Sequence, residues 1–294
     1  MVKLARSDIR TTEVLSWKGL HLFHAPMSTC SQKVRTFLNL KGVDWTSHTI
    51  NIGTNETLSE YFLGINPRGL VPVLVDEGDV HIESNDILLH IEKRFPSPSL
   101  VPAQLGSDIE KMLEFENDLH LDMRALTFRF LVVRSTPPKS ADDLKNYRER
   151  GAGTVGGVKD LEKEREFEFW DRYNREGITD EVSVAAALRF HAAFSDLNQR
   201  LTSSRNIASD DFSLVDIAWI IYTQRLSLLG YPVQQLHPKL FDWFSQHQRR
   251  VEIGKEIAVP QDRLDGIARS QAQQKLQHQS FMDICGPALG VTIA

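Results

Sequence analysis

Cysteine is scarce in this chain. Only Cys30 and Cys285 occur among 294 residues. That excludes a disulfide framework and fits a reducing, cytoplasmic setting. An unbroken apolar stretch of the ~20 residues a membrane helix needs is also missing. So is a long basic run: the net charge is -5 with both signs mixed along the chain, so neither a nucleic acid nor a membrane is expected as a partner. The ten histidines form no H-E-x-x-H, paired Cys-x-x-Cys is lacking, and no metal is expected. Residues 1–19 carry Lys3, Arg6 and Arg10 with no apolar core after them. They read as a short arm packed on the first strand, not as a secretory leader.

What remains describes an ordinary globular protein. Hydrophobic residues make up 41% and charged residues 25%, and the length suits two modest domains or one large one. Residues 20–24 read as a strand, followed by a helix with Val34, Phe37 and Leu38 on one face. Residues 45–52 read as a second strand and 55–62 as a short helix. Residues 71–75 and 80–83 read as a hairpin about Asp76-Glu77-Gly78-Asp79. Ile87, Leu88, Ile91 and Phe95 then make a helical stripe that stops before Pro96 and Pro98. A βαβ unit followed by a ββα unit is the thioredoxin-like order. The expected fold class is therefore an α+β thioredoxin-like N-terminal domain followed by an all-α helical-bundle C-terminal domain.

The boundaries read as an arm over 1–19, the thioredoxin-like domain over 20–95, a linker over 96–106, a helical domain over 107–263 and a polar tail over 264–294. The tail is expected to wrap its own domain or a partner subunit. Ser107-x-x-Glu110 reads as a capping box opening one long helix through about Val133. Ser213-x-x-Asp216 reads as another, leading into Val215, Trp219, Tyr222, Leu226 and Leu229 and stopping at Gly230 before Pro232. Residues 135–179, rich in Glu, Lys, Arg and Gly, read as a helix-loop-helix extension of the bundle that shapes a pocket rather than holding the fold. Inside them Gly151-Ala152-Gly153-Thr154-Val155-Gly156 fits G-x-G-x-x-G. It follows the charged Arg148-Glu149-Arg150 instead of a strand, so it reads as a flexible loop and not a dinucleotide site.

Three segments carry chemistry. Ser28-Thr29-Cys30-Ser31 stands at the mouth of a helix, where free N–H groups and the helix dipole favour anions and lower thiol pKa values. Cys30 itself reads either as a reactive thiol or as a small packing residue. Asn66-Pro67-Arg68-Gly69-Leu70-Val71-Pro72-Val73-Leu74 puts Pro72 at a strand start, where the ladder can spare its missing N–H and the bond before it can be cis. Val80-His81-Ile82-Glu83-Ser84-Asn85-Asp86-Ile87 puts a carboxylate and a hydroxyl where a helix begins, with Ser84 as its N-cap. His21 and His24 flank the first strand and read as hydrogen-bonded structural residues, with a place for one of them in the pocket as the alternative. His120, Arg124 and Phe128 share a helix face at i, i+4 and i+8. Arg124 is equally able to pair with Asp118 or Asp122.

In this order the three segments resemble the glutathione-binding domain of the glutathione transferase superfamily. Asp211-Phe212-Ser213-Leu214-Val215-Asp216-Ile217 resembles the capping motif of that family's sixth helix, which extends the likeness into the second domain. The resemblance implies glutathione as co-substrate and a homodimer. It implies that Ser28 stabilises the thiolate, that the bond before Pro72 is cis, and that the Val71 backbone pairs with the cysteinyl group. Glu83 and Ser84 would then hold the γ-glutamyl end. For the glycyl carboxylate many relatives have Gln or Lys where this chain has Leu70, and Arg68 is the nearby cation. Met27, His120, Arg124 and Phe128 are the pocket candidates for an electrophilic, aromatic co-substrate. Ser28-Thr29-Cys30-x-x-Lys33-Val34-Arg35 is similar to a zeta-class isomerase motif and to one in tetrachlorohydroquinone dehalogenases, and Asn-Pro-Arg-Gly is shared with lignin β-etherases. The implied reaction is therefore thiolate attack in conjugation or β-aryl ether cleavage. The alternatives are reductive dehalogenation or thiol transfer through Cys30, isomerisation of a dicarboxylate, and a non-enzymatic glutathione-binding scaffold.

Overall fold

Three strands rich in apolar residues and one polar strand fold into one small sheet. The computed structural model describes residues 2–132 and 139–291. It divides into two compact units, Met1–Pro98 with Thr136–Gly177 and Ser99–Ser135 with Ile178–Ala294. In the first, β1 (Leu20–His24) pairs in parallel with β2 (Thr46–Thr49) and antiparallel with β3 (Val73–Asp76), which pairs antiparallel with β4 (Asp79–Ile82). The order β2-β1-β3-β4 is the thioredoxin-like sheet that the element order predicted. Helices α1 (Thr29–Lys41), α2 (Glu60–Ile65) and α3 (Ser84–Arg94) complete it.

Strand alternation sends side chains to opposite faces. Phe23, Val73, Val75, Val80 and Ile82 pack with Phe62 and Ile65 of α2 and with Leu4, Ile9 and Val14 of the N-terminal arm. Val34, Phe37 and Leu38 of α1 and Ile87, Leu88 and Ile91 of α3 are also fully buried, and the two helices pack together. The arm makes ladder bonds with β4, not with β1: Leu4 N–H reaches Val80 O at 2.9 Å and Ile82 N–H reaches Val2 O at 3.1 Å. β1 is flanked by β2 and β3, so the open edges of the sheet are those of β2 and β4, and the arm takes that of β4.

After α3 the chain makes α4 (Gly106–Asn117) and α5 (His120–Phe130) in the second unit. It then returns to the first unit for α6 (Ala141–Glu149), the two-stranded β5 (Thr154–Val155) and β6 (Val158–Lys159), and α7 (Leu161–Glu176). Residues 139–177 are therefore not an extension of the helical bundle. Tyr147 is buried with Leu58 and Leu63, and Phe167 packs on them. The G-x-G-x-x-G segment is not a flexible loop. Gly156 (φ 65°) and Gly157 (φ 78°) form the two-residue turn between β5 and β6, and two positive φ values suit a turn that only glycine adopts without strain. That turn holds the buried Asp8 carboxylate through Gly156 N–H at 2.7 Å, Gly157 N–H at 3.1 Å and the Thr154 hydroxyl at 2.7 Å. Burial works against the Asp8 charge. The bonds from Thr154, Ala5, Gly157 and Gly156 outweigh it and hold the acid below its usual range.

The second unit is helical: α4, α5, α8 (Asp180–Arg200), α9 (Leu214–Leu229), α10 (Val233–Leu236), α11 (Pro238–His247), α12 (Val251–Ile257), α13 (Gln261–Leu276) and α14 (Phe281–Cys285). Helix α9 is buried on nearly all sides, with Trp219 and Tyr222 against Phe190 and Phe194 of α8. The Ser213–Asp216 box is present, with Ser213 N–H and hydroxyl on the Asp216 carboxylate at 2.8 and 2.9 Å. Gly230 (φ 100°) closes the helix, as expected. The Ser107–Glu110 pair does not cap. Leu105 is the N-cap, so Ser107 already lies within the first turn. The single long helix is two, because Leu119 (φ -95°, ψ 1°) breaks the helical path and its N–H turns to Glu116 O. Val133, its expected end, lies outside the described residues. Residues 264–291 pack on their own unit: Phe281 and Cys285 are buried, and Phe281 meets Phe130 and Tyr231 edge-on or tilted.

Candidate active site

Strand directions bring the three segments to one edge of the sheet. The register sets Phe23 opposite Val73 and Val73 opposite Ile82. The end of β1, the start of β3 and the end of β4 therefore form a row. Beyond that row lie Ser28, the Val71-Pro72 bond and Glu83-Ser84. The Val71-Pro72 peptide is cis, as the resemblance implied.

The turn before α1 is held from both sides. The Arg35 guanidinium donates to Ala25 O at 3.1 Å and to Pro26 O at 3.0 Å, and Ala25 N–H donates to the Ser31 hydroxyl at 3.3 Å. Arg35 can only donate, so His24 Nδ1 accepts from it at 3.2 Å while Nε2 donates to the Ser47 hydroxyl at 2.7 Å. His24 is thus structural. So is His21, which binds His48 and Lys18 O. Ser28 is the N-cap of α1 and accepts from Ser31 N–H at 3.3 Å, which leaves its own O–H as a donor. Cys30 lies half-buried in the first helical turn and forms no disulfide. Cys285 is different: burial pushes its thiol up to about 12, so it stays protonated.

Glu83, not Ser84, is the N-cap of α3. Ser84 is already helical and buried. Glu83 has φ 67°, a left-handed region that residues with a Cβ seldom adopt. Its carboxylate pairs with Arg68. Arg68 is not turned to solvent. Its Nε and Nη2 fork onto the two oxygens of Asp160 at 2.8 and 2.9 Å, and its Nη1 reaches Glu83. Burial works against the Arg68 charge, but bonding and attraction from Asp160 and Glu83 outweigh it and raise its pKa. The backbone here is braced as well. Arg68 N–H donates to Asn66 Oδ1 at 3.0 Å, Asn66 Nδ2 to Leu70 O at 2.8 Å, and the Tyr147 hydroxyl to Arg68 O at 2.8 Å. Gly69 (φ 63°) lies against the Tyr147 ring, where a Cβ would be 3.2 Å from Cε2.

The residues from 22 to 99 match the family model described as the glutathione S-transferase N-terminal domain. These residues thus form a domain of the glutathione S-transferase N-terminal type. The domain is 41% identical over 86 residues to a zeta-class glutathione S-transferase of Euphorbia esula, a match covering 29% of this chain and 38% of that protein. The match thus spans well under half of that relative's length. A longer match, 25% identical over 258 residues, covers 81% of this chain and 89% of glutathione S-transferase TCHQD of Arabidopsis thaliana. Among solved structures, the β-etherase LigF of Sphingobium sp. strain SYK-6 superposes with a TM-score of 0.66 at 22% identity, covering 81% of this chain and 98% of that one. This likeness is one of transferase fold.

The remaining sequence candidates separate. Met27 lies half-buried in the transferase domain, one residue before Ser28. His120, Arg124 and Phe128 lie on α5 of the second unit. There Arg124 rests over the Phe128 ring at 5.9 Å, and His120 Nδ1 meets Asn117 O. Asp122 pairs with Arg189 at 2.8 Å. Among the described residues no group of acidic, histidine or cysteine side chains is arranged to hold a metal. Sequence reading missed Asp160, Tyr147 and Asn66. Asp160 had a local signal as the N-cap of α7, but its bond to Arg68 spans 92 positions.

Proposed function

We propose that this chain is a glutathione-dependent transferase. The observation that carries the reading is the convergence of Ser28, the cis Val71-Pro72 bond and Glu83-Ser84 at one sheet edge of a domain matching the transferase family. Glutathione supplies the thiol nucleophile. The Ser28 O–H and the N-terminus of α1 stabilise the thiolate. The Val71 backbone takes the cysteinyl amide group as an added strand would. Glu83 takes the γ-glutamyl ammonium, and Ser84 with the start of α3 takes the neighbouring carboxylate. The reaction forms a carbon–sulfur bond on an electrophilic, aromatic substrate, whose leaving group departs with the electron pair. β-Aryl ether cleavage is one such reaction.

Glutathione is expected to raise the melting temperature, since it binds only the folded state. Ser28→Ala should raise the thiol pKa of the bound tripeptide and lower kcat by about 10²–10³. Unchanged melting temperature at millimolar glutathione overturns the proposal. A second reading has its own support: Cys30 is half-buried, outside any disulfide and in the first turn of α1, and the relative named TCHQD matches along most of the chain. In that reading the Cys30 thiolate attacks the sulfur of a glutathione conjugate, forms a mixed disulfide and expels the reduced product. A disulfide on Cys30 seen by mass spectrometry during turnover would select it over conjugation.

A further inference from the structure

The insert reaches the residue that the proposed function gives to the γ-glutamyl ammonium. Asp160 is 4% exposed at its side chain, Arg68 12% and Glu83 42%. The buried end of this chain of charges is Asp160, and the exposed end is Glu83. Arg68 stands between them, with a bidentate fork on Asp160 and a single Nη1 contact on Glu83. Bidentate pairing on planar carboxylate oxygens is the stronger mode. Two carboxylates and one guanidinium leave one net negative charge. Because Asp160 holds Arg68 by its fork, that surplus resides at Glu83, the member open to solvent.

We propose that Asp160 is a positioning residue for glutathione recognition: by compensating Arg68 it keeps Glu83 net negative, so that Glu83 selects a ligand with a free α-ammonium group. Arg68 is accordingly a relay between two carboxylates of its own chain and not the partner of the glycyl carboxylate. Remove the Asp160 charge and Arg68 neutralises Glu83. The ammonium then meets a charge-balanced pair. The inference rests on the transferase reading, and it goes beyond that reading by assigning ligand selectivity to a residue of the insert.

The test compares glutathione with N-acetylglutathione, whose amine is blocked, by titration calorimetry on the full chain. Wild-type protein should prefer glutathione by about tenfold or more, the worth of a charged hydrogen bond. Asp160→Asn, which keeps an N-cap oxygen for Glu162 N–H, should bring the preference close to one, mainly through weaker binding of glutathione. Arg68→Met combined with Asp160→Asn removes both inner charges, leaves Glu83 alone, and should restore the preference. A merely structural Asp160 gives no such rescue. Asp160→Asn with an undiminished preference, or a double variant no more selective than the single one, overturns the inference while the transferase reading stands. Wild-type protein that binds no glutathione overturns both.

Discussion

Two parts of the first unit are fixed by different physics. The sheet and its helices are held by apolar burial: Leu22, Phe37, Leu38, Phe62 and Leu74 are fully buried. The insert over 139–177 has few such anchors, chiefly Tyr147 and Trp170. It is tied down by polar contacts. The β5–β6 turn grips Asp8, Asp160 grips Arg68, Tyr147 reaches Arg68 O, and Lys163 donates to Arg150 O at 2.5 Å. Apolar burial is non-directional and tolerant. Buried carboxylates demand their partners, since a lost partner strands the rest without water. The insert is therefore a precise attachment on a forgiving base.

Disruption should separate these parts. The largest effect is expected for Phe37→Ala, which opens a cavity under α1 and should cost about 3–5 kcal/mol. Chemical denaturation should show the whole first unit destabilised. Asp8→Ala comes next. It removes the charged acceptor of Gly156 N–H, Gly157 N–H and the Thr154 hydroxyl, at about 1.5–3 kcal/mol for a hydrogen bond to a charged group. Hydrogen exchange should quicken over 151–159 while β1 and β3 stay protected. Equal loss of protection in both regions would erase the distinction drawn above.

Acid gives a smaller, graded effect that starts from the base. His81 on β4 is buried with neither ring nitrogen hydrogen-bonded, and stacks on His90 at 3.9 Å between ring centres. Burial first, and the neighbouring His90 second, push it down to about 4. Its folded pKa is below the unfolded value of about 6.5. The unfolded chain thus takes the proton first, and stability present above pH ~6.5 is lost as the pH falls toward 4. His81→Leu should flatten the stability–pH slope there by at most about 1.4 kcal/mol per pH unit. His237 and His247 in the second unit, both pushed to about 4 chiefly by burial, add slopes of the same sign. Asp216, raised to about 6 by burial, adds one of opposite sign. An unaltered pH profile in His81→Leu refutes its part.

Local signals were readable and long-range ones were not. β1, the α1 mouth at Ser28, Pro72 at the start of β3 and the Ser213–Asp216 cap each depend on a few neighbouring residues, and each stands where sequence placed it. The placement of the insert depended on partners far away. Its polar composition read as an extension of the helical bundle, yet those charges attach it to the first unit. One local clue was present: Val155-Gly156-Gly157-Val158 is a two-glycine hairpin turn, and reading the segment as a flexible loop obscured that. The cap of α3 was misplaced by one residue because Glu83 adopts a positive φ that its side chain does not advertise.

The chain leaves the first unit at Pro98 and re-enters it at Thr136. During synthesis, the strands of the sheet emerge well before the turn that clasps Asp8, whose contacts span 146 to 149 positions. Closing such a long loop costs entropy before any contact repays it. A nascent first unit must therefore wait with Asp8, Arg68 and the face of Leu63 uncovered until α6, the β5–β6 turn and α7 have been made. Order of translation thereby sets an order of assembly: the sheet with its three helices comes first, and the charge relay at Glu83 is completed last.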